Sequence, residues 1–137
     1  MMTQTMDYDS FVASKRRSEV PTGHAPGELN PHMFDFQHAI VSWAVRRGRA
    51  AIFADTGLGK TLMQLSWAAE VSDHTDGIIL ILAPLAVSDQ TIEQGRTFGI
   101  DVRKVPHVAK EPQGLLDCGF DARGVYVCQP ESNDGHQ

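Results

Sequence analysis

The chain has 137 residues, 42% of them hydrophobic, enough for one α/β domain with a real core and too few for two. A net charge of -5 provides no global basic field, so composition alone does not argue for a nucleic-acid or membrane-surface partner. The longest apolar run, Ile78–Leu85, is far below a membrane span and the N-terminus lacks a basic-then-apolar leader; the expectation is a cytoplasmic protein. Cys118 and Cys128 match neither a zinc knuckle nor a C-x-x-C pair and read as reduced thiols, and the six histidines show no metal-ligand spacing.

Residues 1–29 are polar and interrupted by Pro21, Gly23, Pro26 and Gly27, predicting a mobile arm or an extended segment lying on the domain, with Tyr8 and Phe11 as possible anchors. From Asn30 the pattern becomes helical. Asn30 suits an N-cap, Pro31 the first turn, and Phe36, Ile40, Trp43 and Ala44 recur on one face. Arg46 and Arg47 complement the carbonyl end of this helix, and Gly48 provides its exit. Ala50–Ala54 reads as a short strand, followed by a glycine-rich loop and a helix over Lys60–Val71. Ile78–Ala83 has no polar alternation, the pattern of a parallel strand covered on both faces. A helix over Ala86–Thr97 and a strand over Ile100–Val105 complete a second βα unit. Gly114–Cys118 reads as a helical turn and Val125–Cys128 as a last strand, before the polar tail 129–137.

The loop carries the chemistry. Ala54-Asp55-Thr56-Gly57-Leu58-Gly59-Lys60-Thr61 fits G-x-x-x-x-G-K-[ST] with Ala54 in place of the leading glycine. Its glycines let backbone N–H groups converge on a phosphate, and the helix that follows adds its positive end. Thr56, Gly57, Leu58, Gly59, Lys60 and Thr61 are therefore the candidate ATP phosphate-binding residues. Lys60 would bridge the β- and γ-phosphates, and the Thr61 hydroxyl would ligate Mg²⁺.

Three motifs between Leu29 and Gly99 carry a resemblance. Phe34-Asp35-Phe36-Gln37 followed by Trp43 looks like a Q-motif; the phosphate loop has the wording of motif I; and Leu82-Ala83-Pro84-Leu85-Ala86-Val87, with Gln90 and Glu93, is similar to motif Ia. Together they resemble the first RecA-like lobe of superfamily 2 helicases, in particular the Snf2-like and phage-type DEAD/DEAH-like proteins. The resemblance implies an α/β P-loop NTPase fold, a partial parallel sheet flanked by helices, over residues 30–128. It also implies ATP and Mg²⁺ as ligands and adenine contact by Phe34 and Gln37. Pro84 and Leu85 would contact the nucleic-acid backbone, with DNA reached in the context of a longer protein.

The family's motif II, an apolar strand ending in Asp-Glu, has no counterpart, because no Asp-Glu pair occurs in the sequence. The second RecA-like lobe, with its arginine finger, is absent too. Such a finger is worth about 10³–10⁵ in rate, so the expectation is negligible ATPase activity from this chain alone. Unpaired edges on Ala50–Ala54 are a further expectation, since the family places later strands beside it. The leading reading is an ATP-binding N-terminal fragment of a helicase or translocase. The alternatives are a non-catalytic module that docks nucleic acid or protein on a P-loop fold, and a small-molecule kinase, for which no lid or acceptor pocket is legible.

Overall fold

The computed structural model describes residues 7–15, 20–105 and 123–128. Seven elements follow in chain order: α1 (Tyr8–Lys15), α2 (Asp35–Arg47), α3 (Lys60–Thr75), β1 (Ile78–Leu82), α4 (Leu85–Thr97), β2 (Val102–Lys104) and β3 (Gly124–Cys128). The predicted turn at Gly114–Cys118 and the tail 129–137 lie outside the described residues.

The three strands form a parallel sheet in the order β1-β3-β2. Ile78 stands opposite Gly124 and Leu82 opposite Cys128, while Val102 stands opposite Val125. Side chains alternate between faces along a strand, and here that alternation divides the core. Ile81, Val125, Val127 and Val102 pack with Leu65 and Ala68 of α3, and Ile92 of α4 packs against this cluster. Leu80, Tyr126, Cys128 and Val105 cluster separately. Full burial of a Leu or Val side chain contributes about 1.5–3 kcal/mol, so the first cluster accounts for much of the hold of α3 on the sheet.

The central strand is β3, not the more apolar β1. Val125 through Cys128 are all buried, whereas Ile78 and Leu82 at the two ends of β1 are 45% and 68% exposed. The reading of Ile78–Ala83 as covered on both faces is thus corrected: Ile79 and Ile81 face the α3 side, while Ile78 and Leu82, on the other face, are exposed. Among the described strands β1 pairs only with β3. Apolar content measures the demand for burial, and which strand gains neighbours on both sides depends on tertiary pairing.

Helix α2 lies on α3 through Val41, Val45 and Met63, joined by Leu29 from the segment before it. That segment is a strap. Thr22 N–H donates to Arg47 O and His24 N–H to Val45 O, both at 3.2 Å. Further along, Glu70 on α3 accepts from Gly27 N–H at 2.8 Å and lies 3.3 Å from His24 Nε2. The His24 ring stacks on His74 with centroids 3.5 Å apart. Of the two arm readings, residues 20–29 follow the extended segment lying on the domain. Tyr8 and Phe11 are 76% and 46% exposed.

Two further expectations change. Helix α2 begins at Asp35 with Phe34 as N-cap, and Asn30 does not cap it. The Asn30 side chain is engaged elsewhere: Oδ1 accepts His32 N–H at 3.0 Å and Nδ2 donates to Phe98 O at 2.9 Å. Ala50–Ala54 runs without a ladder partner among the described residues, so the expected strand is absent as a sheet member. It keeps strand-like alternation. Ala54 packs against the α2–α3 cluster, while Phe53 between Ile52 and Ala54 is 97% exposed.

Candidate nucleotide-phosphate site

The extended segment ends in a turn at Thr56-Gly57, and α3 starts at Lys60. Gly57 and Gly59 take φ values of 80° and 72°, the left-handed region that glycine enters without a Cβ penalty. A Cβ on Gly57 would meet nothing within 4 Å, so the loop there is open. Gly59 is the N-cap of α3 and no side chain caps that helix. The first N–H groups of a helix have no helical partner. Here they face the loop uncapped, at the positive end of a 16-residue helix, an arrangement suited to an anion.

Lys60 sits over this loop. Its Nζ donates to Ala54 O at 3.0 Å and to Asp55 O at 2.8 Å. An ammonium has three N–H donors, so two hold the side chain across the loop and one remains for a ligand. The lysine is oriented by the protein's own carbonyls. Thr61 follows as the second residue of α3 and is half-buried. Residues 56–60 are all exposed.

Asp55 is a participant that pattern matching passes over. Its Oδ1 accepts both the Thr56 N–H at 2.7 Å and the Thr56 hydroxyl at 3.2 Å. These bonds, the backbone one foremost, hold the Asp55 carboxyl below the usual carboxylate range, with a smaller contribution from Lys60. The available signal was Asp before Thr-Gly, the composition of an Asx turn.

Gln37 and Phe34 stand at the other side of the loop. Gln37 is buried, 3% exposed, on the first turn of α2. Its Oε1 accepts Phe34 N–H at 2.9 Å, half of a capping box, and its Nε2 donates to Leu58 O at 2.9 Å. Phe34 is 71% exposed, and its ring stacks on Phe36 at 6.2 Å between centroids. Of the two candidate adenine-contacting residues, the structure brings Gln37 against the candidate loop with its amide engaged, while the Phe34 ring is stacked on Phe36.

Pro84 and Leu85 sit at the carboxyl end of β1, Pro84 as N-cap of α4 and Leu85 67% exposed. A cleft of about 420 Å³ links this end of the sheet to the loop; Lys60, Ile52, Trp67, Ile79 and Leu82 are among its lining residues. It lies between the unladdered Ala50–Ile52 segment and the edge of β1 that has no partner strand among the described residues. Ligand sites at the carboxyl ends of parallel strands are the general expectation for α/β sheets.

The chain matches no protein-family model and no curated protein. Among the described residues no helix is long and apolar enough to cross a membrane.

Proposed function

We propose that this chain binds the triphosphate of a nucleotide, ATP with Mg²⁺, on the Ala54–Thr61 loop. In this reading the loop belongs to a RecA-like lobe of the superfamily 2 helicase type. The observation that carries the proposal is the pairing of an uncapped α3 N-terminus with Lys60 Nζ fixed 2.8–3.0 Å from two loop carbonyls. Positive-φ glycines at 57 and 59 supply the backbone shape, and open space at Gly57 leaves room for a ligand. Thr61 would hold Mg²⁺ through its hydroxyl, and Phe34 would offer a ring face to the adenine.

Hydrolysis is not part of the proposal. Phosphoryl transfer needs a held metal, an oriented water and a cation opposite the transferring group. The sequence contains no Asp-Glu pair to supply the first two, and Asp55, the carboxylate within the loop, is already bonded to Thr56. Movement on DNA, with contact at Pro84 and Leu85, would require further polypeptide that brings those groups.

Titration of fluorescent ATP with and without Mg²⁺ tests the site. Binding that strengthens with Mg²⁺, and loses that dependence in Thr61→Val, supports it. A cooperatively folded protein that shows no binding refutes it.

A further inference from the structure

We propose that Gln37 is a positioning residue of the phosphate loop, setting its shape, and does not read the base. The inference rests on the nucleotide reading above and differs from it in what it assigns to this side chain.

The geometry is specific. A glutamine amide has one oxygen that accepts and one nitrogen that donates, and their assignment here follows from the partners: Phe34 N–H can only donate and Leu58 O can only accept. The amide therefore has one orientation. Through it, the N-cap backbone of α2 is tied to the fourth variable position of the loop, 21 residues later in sequence. Gly59 seals the arrangement, because a Cβ built there would overlap Gln37 Nε2. Glycine at this position thus answers two demands, a φ of 72° and the presence of the amide.

A base-reading amide needs an exposed edge with free hydrogen-bonding atoms. Gln37 shows 3% of its surface, so the second N–H and second lone pair that its two protein bonds leave have no exposed edge to present. What it can do is hold Leu58 O outward from the phosphate-facing side, so that the N–H groups of the loop converge. A loop held in its bound shape loses less entropy on binding. The consequence falls on the phosphates and is the same for every base.

Gln37→Glu separates the two bonds. At pH 8 the carboxylate still accepts Phe34 N–H and suits a helix N-terminus, but it has no donor for Leu58 O. Wild type and variant are titrated calorimetrically with Mg²⁺ and ATP, GTP or inorganic tripolyphosphate, and amide hydrogen exchange is followed at Gly57, Leu58 and Gly59. The expected result is an affinity loss of about tenfold for all three ligands, the loss of roughly one hydrogen bond, with faster exchange in the loop and unchanged exchange in α3. A loss confined to ATP, or loop exchange equal to wild type, overturns the assignment. If Gln37→Glu does not melt cooperatively, Gln37→Met, which keeps the volume and removes both bonds, takes its place with the same expectations. If the wild type binds none of the ligands, the nucleotide reading fails, and loop exchange alone decides whether Gln37 positions the loop.

Discussion

Gly59→Ala and Gly57→Ala form the pair of substitutions that separates backbone conformation from packing. Both residues lie at positive φ, 72° and 80°. A Cβ in the left-handed region costs about 1–2 kcal/mol, so each variant carries that loss. At Gly57 nothing lies within 4 Å of the added carbon, and the loss stops there. At Gly59 the carbon overlaps Gln37 Nε2, so the amide must leave Leu58 O. The buried Gln37 amide then loses its acceptor, at about 1–3 kcal/mol. The sum is about 2–5 kcal/mol for Gly59→Ala against about 1–2 for Gly57→Ala. Set against a typical domain stability of about 5–15 kcal/mol, the larger value is easily resolved. Urea denaturation measures both, read at constant m-value. A double-mutant cycle sharpens the test: in a Gln37→Ala background the overlap is gone, and the cost of Gly59→Ala falls to about 1–2 kcal/mol. Equal losses at the two glycines, or a cost at Gly59 unmoved by Gln37→Ala, would refute the reasoning.

Leu65, fully buried between α3 and the sheet, is expected to lose about 2–5 kcal/mol on substitution by alanine; a urea-unfolding loss below 1 kcal/mol would contradict the packing described. The Asp55 carboxyl titrates below the usual carboxylate range because Thr56 bonds its ionised form. A depressed folded-state value means that the loop's hold is present above the unfolded value and is lost as pH falls through the folded one. The Thr56 amide proton resonance, followed by NMR, should therefore shift upfield only at acid pH below that of an ordinary Asp, and Asp55→Asn should abolish the shift. A midpoint at or above the ordinary range would contradict the Asp55–Thr56 geometry.

Much of this arrangement was legible in local patterns. The loop, helix α4 to within one residue and strand β3 follow from residue types and spacing, because glycine conformation, apolar periodicity and breakers act over a few residues. What was not legible is tertiary. Asn30 has the chemistry of an N-cap, yet Phe98 O, 68 residues away, takes its amide. Ala50–Ala54 has the composition of a strand, but a strand needs a neighbour, and none of the described residues provides one. The apolar run at β1 was read as covered on both faces, while it is β3 that gains neighbours on both sides. The Phe34–Gln37 segment was identifiable as belonging near the loop. The contact with Leu58 was not, because it depends on where α2 comes to rest against α3.

The proposed role of Lys60 and its loop is to hold a triphosphate. Isothermal calorimetry of Mg²⁺-ATP against wild type and Lys60→Ala, with released phosphate assayed on the same samples, tests it most directly. The account predicts saturable one-site binding by the wild type, its loss in a Lys60→Ala protein that melts like the wild type, and no phosphate release above buffer. Binding unchanged by Lys60→Ala, no binding by folded wild type, or release abolished by that substitution would contradict it.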